Sequence, residues 1–201
     1  MSAPPKTVLE VTDAEAEAIR RAVRGADPTT LDGRRLAGEA DIEALTELLS
    51  DPRVSDPVYD LPRPINTETI GAWVRHCHEG RVRGETLLLV TDDTAARVAG
   101  YSKITVWPHR SAAELAGAIR ADRQSSGQGG AGAWRTIDWM FEALGVRLIC
   151  LTAALDNVRS ARLIEAMGFV RLGEREAVAS DGTLRPSLYW EMSRDAWRGP
   201  G

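Results

Sequence analysis

Hydrophobic and polar positions along this chain follow two periods, and the change from one to the other divides the sequence. Up to about residue 80 the apolar positions recur at helical spacing. Thr12-Asp13-Ala14-Glu15 has the pattern of a capping box and predicts a helix running to about Arg24, before Gly25. Asp27-Pro28 then breaks the chain, and Thr29 to Ala37 reads as a weak strand carrying arginines and Gly33. Ile42, Leu45, Leu48 and Leu49 share one helical face, in a helix that stops before Asp51-Pro52. Pro52, Pro57, Pro62 and Pro64 make residues 51–64 an irregular loop. Asn66-Thr67-Glu68-Thr69 opens another helix, which turns Ile70, Trp73, Val74 and Cys77 inward and ends at Gly80.

From there the period becomes that of strands. Thr86 to Thr91 and Arg97 to Trp107 form a hairpin around Asp92-Asp93, and Ala113 to Arg120 adds a further strand. A glycine-rich loop leads into a helix from about Gly129 to Leu144, with Trp134, Ile137, Phe141 and Leu144 on one face. Arg147 to Ala153 is a strand and Asn157 to Met167 a helix closed by Gly168. Phe169 to Ala179 and Thr183 to Met192 form a last hairpin around Asp181-Gly182. Helices, antiparallel strands, a strand-loop-helix-strand-helix unit and a hairpin together define a mixed α/β domain.

Composition narrows the class. At 201 residues, 43% hydrophobic and 27% charged, the chain builds a core without disulfides or a structural metal. The net charge of −4 is too mild to predict nucleic acid or an anionic membrane as a partner. It is unevenly spread, however: residues 1–60 carry −6 and residues 61–201 carry +2. Cys77 and Cys150 read as two buried thiols of a reducing compartment, and neither a signal peptide nor an 18-residue apolar run is visible, which predicts a cytoplasmic protein. His76, Cys77 and His78 resemble a metal cluster, but on a helix residues 76 and 78 point to nearly opposite sides, and no metal is expected.

The candidate chemistry lies in Gln124-Ser125-Ser126-Gly127-Gln128-Gly129-Gly130-Ala131-Gly132. Glycines leading into a helix leave backbone N–H groups exposed at its positive end, which suits a phosphate or pyrophosphate. Gly127 to Gly132 literally matches the dinucleotide fingerprint G-x-G-x-x-G of an oxidoreductase. Against that, Arg123 to Ser126 separate the first glycine from its strand. Asp156 falls 29 residues after Gly127, and about 70 residues are too few to complete a doubly wound sheet.

A second pattern joins more of the chain. Gln124-x-x-Gly127-x-Gly129 resembles the Q/R-x-x-G-x-G/A acyl-CoA loop of the GNAT superfamily of N-acyltransferases. Glu114-Leu115 precedes it by ten residues, where that family often carries E-[IL] on its fourth strand. Asn157-Val158-Arg159-Ser160-Ala161-Arg162-Leu163 with Gly168-Phe169 is similar to the family's N-x-x-S-x-x-[LI]…G-F signature. The subgroup most resembled is the ribosomal-protein alanine N-acetyltransferase-like one. Ser125-Ser126 and Ala121-Asp122-Arg123 depart from the family's usual residues at those places.

The resemblance implies an α/β (α+β) single domain over residues 34–193. Its mixed, mostly antiparallel sheet would be splayed between the fourth and fifth strands and flanked by helices. Residues 1–33 would form an N-terminal extension with one helix, and 194–201 a tail. It also implies acetyl-CoA as acyl donor and a primary amine as acceptor, on a small molecule or a protein N-terminus, attacking directly in a ternary complex. Homodimers are common in the subgroup.

Gln124, Ser125, Ser126, Gly127, Gln128, Gly129 and Gly130 would hold the pyrophosphate, with Arg123 or Arg162 for the remaining charge. Ala118, Ile119 and Arg120 would pair with the pantetheine arm. Asn157 would meet its amide, cap its own helix, or do both. Glu114 is the candidate base, Ser160 or Tyr189 the candidate acid, and Tyr59, Leu61 and Trp73 would wall the acceptor site. The alternative from another class is an acyl-CoA-binding sensor without catalysis.

Overall fold

The structure is a computed structural model describing residues 3–31, 33–124, 128–178 and 182–199. Helix α1 (Asp13–Arg24) starts where Thr12 Oγ1 accepts from Glu15 N at 3.2 Å, and acidic residues in its first turn and arginines in its last suit the helix dipole. The short strand β1 (Arg34–Leu36) follows, then α2 (Ile42–Leu49). The proline-rich segment is not wholly irregular. Asp51 accepts from Arg53 N, and Pro52 at the first helical position supports a single turn, α3 (Pro52–Ser55).

Helix α4 (Thr67–Arg83) is opened by a reciprocal pair, Thr69 N to Asn66 Oδ1 and Asn66 N to Thr69 Oγ1. It runs a turn beyond the expected stop at Gly80. Gly80 lies inside the helix, and only glycine fits there because Thr86 packs where a side chain would be, 2.6 Å from an added Cβ. The stop is Gly84, at φ +77°, with Arg20 of α1 packed against it.

The strands are β2 (Thr86–Asp92), β3 (Val98–Trp107), β4 (Ala112–Ile119), β5 (Leu148–Ala154), β6 (Val170–Val178) and β7 (Leu184–Ser193). Helix α5 (Gln128–Ala143) links β4 to β5, and α6 (Val158–Ala166) links β5 to β6. Seven strands form one sheet in the order β1-β2-β3-β4-β5-β7-β6. All neighbours are antiparallel except β4 and β5. That parallel pair is the position from which the cleft opens.

Alternation along the strands sends two sets of side chains to two cores. Ile104, Val106, Ala113, Ile149, Leu151, Leu188, Trp190 and Met192 face α5 and α6, joined by Ile19 and Val23 of α1. Leu88, Val90, Val98 and Tyr101 face α2, α3 and α4.

Both flanking segments pack on this frame. Residues 3–10 lie as a strap across β6 and β7, with Lys6 N and Thr7 N donating to the buried Glu191 carboxylate at 2.8 and 3.1 Å. Arginines hold the strap's carbonyls: Arg175 those of Ala3 and Pro4, Arg110 those of Pro5 and Thr7, and Arg147 that of Glu10. At the other end, Trp197 stacks on Trp134 and Phe141 and donates to Asp138. No helix among the described residues is long and apolar enough to cross a membrane.

Candidate active site

Strands β4 and β5 pair at three positions only, Ala112↔Leu148, Ala113↔Ile149 and Glu114↔Cys150. Beyond Glu114, β4 continues to pair with β3 as far as Ile119, and β5 continues with β7 as far as Ala154. The two strands therefore separate, and each turns an open row of backbone N–H and C=O groups toward the gap. Such groups need partners.

The gap is the floor of a cavity of about 450 Å³ that extends through the sheet. On one face it is lined by Leu115, Gly117, Ile119, Gly130, Ala133, Leu163 and Met167. On the other it is lined by Val54, Pro57, Tyr59, Asp60, Glu114 and Thr152. The point of divergence is thus lined from both faces of the sheet.

Glu114 occupies the last paired position, 4% exposed, and accepts from Thr152 Oγ1 at 3.1 Å across the β4–β5 junction. The expected pantetheine positions Ala118 and Ile119 line the cavity; Arg120 follows them and turns toward Glu47 and Asp122. Gln124 bridges the cleft's end: its Nε2 donates to Ile119 O, and its Oε1 accepts from Arg159 at 2.7 Å. Ser125, Ser126 and Gly127 lie outside the described residues. Gln128 and Gly129 begin α5, and Gly130 lines the cavity, so the helix N-terminus faces the cleft. Gly130 also lets α5 approach α6, since an added Cβ would stand 3.3 Å from Leu163.

At the start of α6, Asn157 Oδ1 accepts from Ser160 N at 3.1 Å, an N-cap, and both residues line the cavity. Arg162 is exposed and outside the cavity lining, which Arg159 joins.

Tyr189 is fully buried on β7, outside the cavity lining. Its hydroxyl donates to Glu191, and Arg175 stacks on its ring at 4.2 Å. Burial first, then the charge of Cys150 and the bond to Glu191, raise this phenol above its ordinary pKa. Of the three expected acceptor residues, Tyr59 lines the cavity. Leu61 and Trp73 lie behind it in the core, Trp73 edge-on against Tyr101 at 5.5 Å.

Several lining residues were not singled out from sequence. Tyr101 is 3% exposed and contributes to the lining, with no hydrogen-bond partner for its hydroxyl among the described residues. Asp60 pairs with Lys103 at 2.7 Å. Burial, the largest single influence, would lower the Lys103 ammonium, but the charge and hydrogen bond of Asp60 together with the nearby Cys77 and Glu114 outweigh it and raise the group above its usual value. Alternation along β3 places Lys103 on the same face as Tyr101, a signal present in sequence. Its pairing with Asp60, 43 positions away, is not. Cys77 and Cys150 are buried and free, and burial pushes the Cys77 thiol up to about 11. His76 and His78 are exposed on either side of Cys77.

A sheet splayed at one parallel pair, a helix N-terminus at the gap and a cleft open on both faces define the fold of the acyl-CoA-dependent N-acyltransferases. Among solved structures, the chain is similar to ribosomal-protein-S5-alanine acetyltransferase from Vibrio fischeri, at 19% identity over 82% of this chain and 94% of that one, TM-score 0.69. It is similar also to Mycobacterium smegmatis RimJ, solved with CoA-disulfide, at 17% identity over 81% of each chain, TM-score 0.69. Spermidine N-acetyltransferase from Vibrio cholerae, solved with CoA and spermine, aligns at 17% identity over 81% of this chain and 95% of that one, TM-score 0.68. No curated protein matches the chain in sequence. Residues 34–170 match the model of the GNAT acetyltransferase domain; the chain belongs to that family and is an acyl-CoA-dependent N-acetyltransferase.

Proposed function

We propose that this enzyme moves an acetyl group from acetyl-CoA to a primary amine, which attacks the thioester directly while both substrates are bound. The observation that carries this reading is the cleft running through the sheet at Glu114, lined by residues of both faces. The donor enters on the α5–α6 face, its phosphates at the N-terminus of α5 and its pantetheine arm along the open edge of β4. Backbone N–H donors on that edge stabilise the tetrahedral oxyanion, each worth about 3 kcal/mol.

The amine approaches from the opposite face, past Tyr59, Asp60 and Tyr101. The neighbours' names include a polyamine acceptor and a protein alanine, and both present amines. An amine attacks only when neutral, and Glu114, which lines the cavity, takes its proton. The leaving thiolate, of ordinary pKa about 8.5, takes a proton relayed through the Ser160 hydroxyl, which regains one from water in the same step. Ser160 lines the cleft, whereas the Tyr189 hydroxyl is engaged by Glu191 outside it.

Thiol release from acetyl-CoA with a panel of amines tests the reading. Glu114→Gln should lower kcat by about a hundredfold or more while acetyl-CoA affinity stays at the wild-type value. An unchanged kcat would remove Glu114 from the base role. Acetyl-CoA binding without acylation of any amine would favour the non-catalytic sensor.

A further inference from the structure

Strand β1 stands at the edge of the sheet, yet one of its side chains reaches the cleft. Arg34 runs beneath the sheet's α5 face, and its guanidinium joins the cavity lining beside Gly130, Ala133 and Thr136. Its Nη1 donates to Thr136 Oγ1 and, at 3.4 Å, to Ser102 Oγ; its Nη2 donates to the Gly132 carbonyl at 3.1 Å. Thr136 Oγ1 donates to the same carbonyl at 2.7 Å, which fixes the hydroxyl as an acceptor for the guanidinium. Gly132 is what allows the approach, since an added Cβ would lie 3.2 Å from Nη2.

Every one of these partners is neutral. The next residue, Arg35, shows the usual arrangement: it is held by both oxygens of Asp41 and by Asp92. Among the described residues no carboxylate lies within ion-pairing distance of Arg34, and Arg135 adds positive charge nearby. A half-buried cation without a counter-ion is costly, and here it is held by two hydroxyls and a carbonyl, part-way along α5. The guanidinium has five N–H donors, so some remain for a further acceptor.

We propose that Arg34 is an anchor for an oxyanion of the acyl donor. This rests on the cleft being the acyl-CoA site proposed above. Two oxyanions of a donor have this chemistry: the phosphates of CoA, and a terminal carboxylate on the acyl chain. Ser102 pairs with Gly117 of β4, and Thr136 lies two turns into α5, so the guanidinium stands inward of the helix start.

Calorimetric titration of CoA, acetyl-CoA and succinyl-CoA into wild type, Arg34→Met and Arg34→Lys tests the proposal. Wild-type binding of any of the three tests the acyl-CoA reading separately. The methionine variant should bind at least one ligand about tenfold more weakly or worse, the lysine variant should recover part of the loss, and the difference should shrink as salt is added. An equal loss for all three ligands assigns the anion to the phosphates. A loss confined to succinyl-CoA assigns it to the acyl carboxylate. Wild-type affinity of the methionine variant for all three overturns the proposal. So does a salt-independent loss that lysine does not restore, which would mean that Arg34 only pins α5. Arg34→Gln supplies a second neutral variant if methionine does not fold.

Discussion

Lys103 shows at residue scale how one charge alters the character of the cleft face lined by Tyr59 and Asp60. Residues 1–60 carry an acidic excess that includes Asp56 and Asp60, and taken alone those charges would suit a cationic amine. Asp60 is instead neutralised by Lys103, with both side chains largely out of water, at 9% and 17% exposure. Asp56 is 71% exposed and only distantly paired with Arg63. Removing one partner of a buried pair leaves the other charge uncompensated, so Asp60→Asn should destabilise the protein by about 3 kcal/mol. Asp56→Asn should stay within about 0.5 kcal/mol of wild type. Chemical denaturation decides between them; equal stability of the two variants would show that the Lys103 pair contributes nothing structural. Arg159 and Arg162 give the corresponding lesson on the α5–α6 face. Helical phase alone places Ser160, Leu163, Ile164 and Met167 on one face, Arg159 at its flank and Arg162 opposite, so this distinction was legible in the sequence.

At the scale of elements, what could be read locally was read closely. The hairpin β2–β3, the strand β4 and the helices α5 and α6 lie within a residue or two of their expected bounds, because periodicity, caps and glycines are local signals. The end of α4 differed because Gly80 is a contact with Thr86 rather than a stop, a long-range fact invisible to local pattern. The strap was also invisible: residues 3–10 lack periodicity and are held almost wholly through their backbone by side chains more than 100 positions away. Glu191 is its centre. Burial would raise this carboxyl, but hydrogen bonds from Thr7, Tyr189 and Lys6 hold it below its ordinary value. Its contribution to stability is therefore present above the unfolded carboxyl pKa, about 4.3, and is lost as pH falls through the lower folded value. Glu191→Gln should accordingly lower Tm at pH 7, with the difference from wild type closing in acid. A gap that persists or widens at low pH would show that the carboxylate charge does not hold the strap.

For the whole molecule, the split sheet is the property from which the others follow, and it is the one that residue patterns could not supply. Nothing in the apolar runs of β4 and β5 says that they pair at three positions and then part; that expectation came from the resemblance of Gln124-x-x-Gly127-x-Gly129 and the Asn157 signature. Parting the strands leaves two open backbone edges and a cavity, both of which cost stability. A donor that fills the gap restores those interactions in the folded state only, so its binding adds to stability as RT ln(1 + [L]/Kd). At a concentration of 100 Kd this is about 2.7 kcal/mol, which for a chain of this size raises Tm by roughly 5–10 °C. Acetyl-CoA and CoA should both produce that shift. NADH, whose pyrophosphate is similar but which has no pantetheine arm to pair with the open edge of β4, should not. A larger shift with NADH than with acetyl-CoA would return the glycine-rich turn to the dinucleotide reading, because the β4 edge would then not be what the ligand recognises.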